Sequence, residues 1–101
     1  MDDILTEIID DLKCPLTGLI FKNPVIASDN IVYEANELAK FIIKKKNNIS
    51  PKTGHKITKI IKIIALKNTI NDLVATYPYL EKYRYTEEIS NDSESLLKNY
   101  Y

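Results

Sequence analysis

Residues 14–34 read CPLTGLIFKNPVIASDNIVYE, and this stretch decides the fold. Pro15 and Pro24 stand within ten residues of each other and block a regular helix. With Gly18 between them they imply an ordered loop whose apolar members, Cys14, Leu16, Ile20 and Phe21, point partly inward and partly out. Val25-Ile26-Ala27 and Ile31-Val32-Tyr33 are short β-prone runs on either side of the polar Ser28-Asp29-Asn30, the signature of a hairpin. Asn30 tolerates the left-handed conformation that such a turn requires.

Towards the N-terminus, Ile4, Leu5, Ile8, Ile9 and Leu12 recur at helical spacing, which predicts a helix over residues 2–12. Asp2 and Asp3 suit the positive N-terminal end of that helix, and Glu7, Asp10 and Asp11 make its polar face acidic. The stripe therefore reads as a packing face, not a membrane face. Towards the C-terminus, Leu38, Phe41 and Ile42 mark a second helix from Glu34 to Lys46. Lys44-Lys45-Lys46 complement its dipole, and Asn47-Asn48 break it. Ile49-Ser50-Pro51-Lys52-Thr53-Gly54-His55 carries two turn signals and forms a second ordered loop. Residues 57–64 alternate as a short strand. A last main helix runs from about Ala65 to Thr76 on Leu66, Ile70, Leu73 and Val74, with Pro78 after it.

The tail, 79–101, sets Tyr79, Tyr83, Tyr85, Tyr100 and Tyr101 among many charges. Two weak helical pieces are expected there, the second capped by Ser93 and carrying Leu96 and Leu97, and they either pack on the domain or fray. The organisation expected is an N-terminal helical extension (1–7), a central domain (8–77) and a C-terminal helical extension or tail (78–101).

Composition bounds the function. The chain of 101 residues is 45% hydrophobic and 28% charged, which fits one small domain with a core. The 14 basic residues balance 14 acidic ones, so a field for nucleic acid or an anionic membrane is not expected. Lys44 to Lys46 read as a solvated helix end before they read as a nucleic-acid patch. One Cys and one His cannot make an intramolecular disulfide or a four-ligand Cys/His zinc cage. Met1-Asp2-Asp3 is acidic where a secretory signal is basic, and Ile57 to Leu66 is interrupted by Lys59 and Lys62. A soluble, cytoplasmic protein is expected.

The catalytic inventory is poor. His55 is a lone loop histidine, Cys14 reads as a small core residue, and neither GxGxxG nor GxxxxGK[ST] occurs. Asp10-Asp11 and Glu87-Glu88 are adjacent, so each pair diverges instead of flanking a substrate. No catalytic residue, metal or cofactor is assigned. What stands out is two loops rich in Pro, Gly and apolar residues beside a helix: a protein-binding groove bordered by loop 14–22, helix 34–46 and loop 49–55.

These residues also carry a family resemblance. The run from Ile8 to Thr17, with Cys14-Pro15-Leu16-Thr17 at its end, resembles the opening of the U-box. Phe21-Lys22-Asn23-Pro24-Val25 is similar to the stretch that follows, and Asn30-Ile31-Val32-Tyr33-Glu34 to the turn that starts its central helix. Leu38 with Phe41-Ile42, Ser50-Pro51-Lys52-Thr53-Gly54, and Leu66-Lys67 with Ile70 match its central helix, second loop and last helix. The resemblance spans about residues 8–75. It implies an α+β, RING/U-box-like domain with a short β-hairpin, a central helix, two ordered loops and helical N- and C-terminal extensions. It also implies that hydrogen bonds, salt bridges and packing hold the loops where a RING uses zinc.

The resemblance implies a ubiquitin ligase that binds a ubiquitin-loaded conjugating enzyme and promotes transfer to the lysines of a protein substrate, with no covalent step of its own. Carried over by position, Leu16 is the first-loop contact, Phe41 the helix aromatic and Pro51 the second-loop proline, flanked by Thr17, Gly18 and Lys52. There are departures. Ile9 stands where the family has Pro, Asn30 where it has Gly, and Lys62-Ile63 where it often has Pro-Asn. Gly54 occupies the place where some members carry a basic residue. The alternative is a non-catalytic U-box-fold adaptor or homodimerisation module, suggested by the Tyr- and Leu-bearing tail. Thirteen of the 14 basic residues are Lys, and Ile and Asn are abundant, which suits an AT-rich genome. With a ligase domain, that bias raises a host-directed effector acting in the host cytoplasm.

Overall fold

The computed structural model describes residues 3–101, with side chains from Glu7 onward. In chain order the elements are α1 (Asp3–Asp11), β1 (Pro24–Ala27), β2 (Val32–Glu34), α2 (Ala35–Lys45), β3 (Ile60–Lys62), α3 (Ile64–Thr76), a 3-10 helix (Pro78–Tyr83) and α4 (Asn91–Lys98). The fold is α+β. The three strands form an antiparallel sheet in the order β2-β1-β3, with Val25 opposite Tyr33 on one side and Lys62 on the other.

The hairpin turns where the polar triplet stands. Asn30 takes φ 66°, and its N–H donates to Ala27 O at 2.9 Å. Period-two alternation then turns Val25, Ala27 and Tyr33 inward. Helix α2 lays Leu38, Ala39 and Ile42 on that face, and Ile57, Ile60 and Leu97 complete the first core cluster. A second cluster joins Ile9 of α1, Cys14, Ile20 and Phe21 of the first loop, Ile70 and Val74 of α3, and Leu80. Leu16 packs against both.

Several local expectations shift by a residue or change their cause. Glu34 is the N-cap of α2 and not its first residue. The helix ends because Lys46 adopts φ 57°, one residue before the asparagines, and its N–H closes on Ile42 O at 2.9 Å. Of the α1 stripe, Ile9 is buried and Leu12 half-buried, whereas Ile8 is 45% exposed; the side chains of Ile4 and Leu5 lie outside the described residues. Ser93 does not cap α4. Ser90 does, its Oγ accepting from Ser93 N at 3.2 Å, because a serine three residues earlier reaches the free N–H of the first turn.

The tail packs and does not fray. Tyr83 O accepts from Ile20 N at 2.8 Å and Tyr85 N donates to Ile20 O at 2.9 Å, so residues 83–85 run as a strand-like strap along the first loop. Beyond the strap, α4 packs on α2 and places Leu97 in the first core cluster at 1% exposure. Tyr100 O then accepts from Ile60 N at 3.1 Å. Helix α1 runs without a break through residue 7, where the N-terminal extension was expected to end. Among the described residues no helix is long and apolar enough to cross a membrane.

Leu97→Ala is expected to lower unfolding stability by about 2–4 kcal/mol through loss of burial and a residual cavity, measured by urea denaturation. A loss below about 1 kcal/mol, the size of a surface change, would mean that α4 is only laid against the domain.

Candidate functional site

The first loop is built on acceptors, not on metal ligands. The Glu34 side chain is buried, and its two carboxylate oxygens accept from Lys22 N at 2.6 Å and Asn23 N at 2.8 Å. Burial pushes this carboxyl above its ordinary range, and the two backbone N–H groups draw it part of the way back. The buried Cys14 Sγ accepts from Glu34 N at 3.2 Å and from Leu16 N at 3.4 Å. Gly18, at φ +70°, lets the chain turn so that its N–H reaches Cys14 O at 2.8 Å. Three cationic side chains fasten the outside: Lys67 Nζ donates to Asn23 Oδ1 at 2.8 Å, Arg84 Nε to Phe21 O at 3.2 Å, and Lys22 Nζ to Glu88 at 2.7 Å. Arg84 also bonds the Asn71 side chain.

The second loop hangs from Asp29 in the hairpin turn. Asp29 Oδ2 accepts from the Tyr33 hydroxyl at 2.6 Å and the Ser50 hydroxyl at 2.7 Å, and Oδ1 from Ile31 N at 2.9 Å. Ser50 Oγ in turn accepts from Lys52 N and Thr53 N at 3.1 and 3.0 Å, which folds the Pro51 turn. Partial burial raises the Asp29 carboxyl, but the Tyr33 and Ser50 hydroxyls and the Ile31 N–H outweigh it and hold the group below its ordinary value. Tyr33, buried and facing that carboxylate, is pushed well above the usual phenol range. Among the described residues no cluster of three His, Cys, Asp or Glu side chains has the arrangement of a metal site.

Two of the expected contacts come together. Leu16 and Phe41, both half-buried, line one shallow surface groove of about 260 Å³ with Glu37, Lys40 and Lys44 of α2. Lys45 sits over the Phe41 ring at 5.9 Å. Thr17 is half-buried and caps the loop, its Oγ1 accepting from Leu19 N at 3.1 Å, while Gly18 is exposed beside it. Pro51 is half-buried and Lys52 exposed on the second loop, and neither lines this groove. A more enclosed cleft, about 210 Å³, lies where α3 and α4 meet the sheet, lined in part by Val25, Lys62, Ile64 and Leu97. None of the six expected contacts borders it.

Glu37 and Lys40 were not singled out from sequence, and Lys44 was read only as part of the cationic helix end. Their signal was present: 37, 40 and 44 fall at i, i+3 and i+7, and Phe41 lies four residues after Glu37 and three before Lys44 on the same face. The carboxylate that joins them from the tail, Glu87, had no such signal. Lys40 pairs with Glu37 at 3.2 Å and with Glu87 at 3.1 Å.

The profile of the U-box domain family matches residues 8–77, more than half of the chain, and the chain belongs to that family. U-box domains are in general ubiquitin ligases and in general interact with ubiquitin-conjugating enzymes. A search of curated proteins returned no match.

Asp29→Asn is expected to cost about 1–3 kcal/mol, since a charged acceptor of three hydrogen bonds becomes neutral. The wild-type carboxyl is held below its ordinary value in the folded state, so its contribution is present above the unfolded value and lost as pH falls through the folded one. Acid titration of unfolding stability should therefore show a steeper decline below about pH 4 in the wild type than in the variant. Parallel curves would mean that the two hydroxyls gain nothing from the charge.

Proposed function

We propose that the chain is a ubiquitin ligase that docks a ubiquitin-loaded conjugating enzyme against the first loop, α2 and the second loop. The observation that carries this reading is the groove in which Leu16 of the first loop and Phe41 of α2 meet. Apolar side chains held half-exposed on hydrogen-bonded loops cost little entropy to order on binding, which suits a small, transient interface.

The chemistry belongs to the partner. The substrate lysine amine attacks the thioester carbonyl of the loaded enzyme, the C–N bond forms as the C–S bond breaks, the cysteine thiolate leaves, and the amine's proton passes to solvent. The ligase holds the two reactants together and confines the thioester to reactive poses, so its contribution is proximity and orientation. Such a role needs no nucleophile, base or cofactor of its own. It agrees with His55 being exposed on the second loop and with Cys14 being buried within the first loop's hydrogen bonds. Pro51 enters as the second-loop contact, its turn fixed by Ser50, with Thr17, Gly18 and Lys52 as flanking contacts.

The adaptor reading drew on the apolar tail. Tyr85 and Leu97 are buried within the chain's own domain, and Leu96 packs on the first core, which leaves less of the tail to recruit a second copy or a substrate.

In a reconstituted reaction with a panel of conjugating enzymes, Leu16→Ala and Pro51→Ala should each cut ubiquitin-chain formation about tenfold or more, as central anchors do, with unchanged circular dichroism. Full activity in both variants overturns this surface. Failure of the wild type to stimulate discharge from every loaded enzyme tested favours the adaptor.

A further inference from the structure

The strap that follows the family-matched residues brings new charge to the groove. From Tyr85 the chain passes α2, where the Tyr85 hydroxyl lies 2.6 Å from Glu37 Oε2 and 2.7 Å from Glu87 Oε2 and accepts from Asn36 Nδ2 at 2.8 Å. Tyr85 is buried at 4% exposure, so this hydroxyl fixes where Glu87 stands. Both the Tyr85 and Lys40 contacts of Glu87 use Oε2, and Oε1 keeps its acceptor capacity on a side chain that is 60% exposed. Glu87 does not line the groove itself, but it pairs with the groove residue Lys40, so that two carboxylates, Glu37 and Glu87, surround one ammonium beside one end and leave an excess negative charge. At the other end Lys44 leaves a positive one. The groove is bipolar, and its acidic pole depends on a residue ten positions beyond the family-matched span.

We propose that Glu87 is a specificity residue of the docking groove, whose carboxylate receives a cationic side chain of the conjugating enzyme seated on Leu16 and Phe41. The inference rests on the docking reading above. A partner with a cation at that place gains a charge-assisted hydrogen bond at a rim where Lys40 is already neutralised, and one with a carboxylate there meets like charge. The Tyr85 hydroxyl and Lys40 hold the Glu87 carboxyl below its ordinary range, so the pole is charged at neutral pH.

The test is calorimetric titration of the full chain with the conjugating enzyme that it stimulates most, at low and high salt, for wild type, Glu87→Gln, Glu87→Asp and Leu16→Ala. Glu87→Gln is expected to raise Kd roughly two- to fivefold at low salt, the range of an exposed ion pair, and to flatten the salt dependence. Glu87→Asp should recover part of both. Its melting temperature should stay near that of the wild type, since Glu87 is exposed. Leu16→Ala weakens binding with the salt dependence intact. Wild-type Kd and salt dependence in Glu87→Gln, while Leu16→Ala still loses binding, overturns this inference and leaves the docking surface standing. Loss of binding in Glu87→Gln with an unchanged salt slope and a lowered melting temperature makes the residue structural and overturns it as well. Wild-type binding in Leu16→Ala overturns the docking surface itself.

Discussion

A buried carboxylate with two backbone N–H donors, Glu34 on Lys22 and Asn23, is the interaction on which the rest of the structure depends. A loop with two prolines satisfies only part of its backbone by strand-like pairing, and buried N–H groups without partners are costly. Glu34 is the residue where β2 ends and α2 begins. The same side chain therefore satisfies the loop and fixes it relative to the helix. Cys14 adds a softer acceptor from the loop side, aimed at the Glu34 N–H. Between them the loop that carries Leu16 and the helix that carries Phe41 are held in one register.

Asp29 repeats the logic for the second loop with different chemistry. Here the acceptor sits in the hairpin turn and the donors are hydroxyls, one from β2 and one from the loop. Both centres place a carboxylate of the hairpin between a loop and the core. With one cysteine and one histidine, the chain falls short of a four-ligand Cys/His zinc cage. A hydrogen-bonded loop holds its shape when its donors and acceptors are matched, and among the described residues no buried side-chain polar atom is left without a partner.

Much of this could be read from the residues in order. The prolines, Gly18 and Asn30 marked the loops and the hairpin because their backbone preferences are local. Leu38, Phe41 and Ile42 marked α2 because helical spacing is local too. Two borders of the surface groove were legible, Leu16 from motif and Phe41 from periodicity, whereas loop 49–55, expected as its third border, does not line it. The links across long separations were not legible. Nothing near Glu34 announces that it accepts from Lys22 and Asn23. Nothing in Tyr85 announces that it ends beside Glu37, 48 positions away. The cap of α4 was misplaced by three residues because Ser90 and Ser93 are equally good caps by composition, and only the start of the helix distinguishes them.

The pairing of Ile20 with Tyr83 and Tyr85 sets an order of events during synthesis. The hairpin and α2 join neighbours in sequence and can form while the chain is still emerging from the ribosome. Ile20 must wait until more than sixty further residues have been made before its backbone finds a mate, and closing so long a span is slow. One edge of the first loop thus acquires its native backbone partners well after its contacts with the hairpin. Until then the apolar side chains of that segment stay open to chaperones and to one another, a window in which the newly made chain is prone to aggregate.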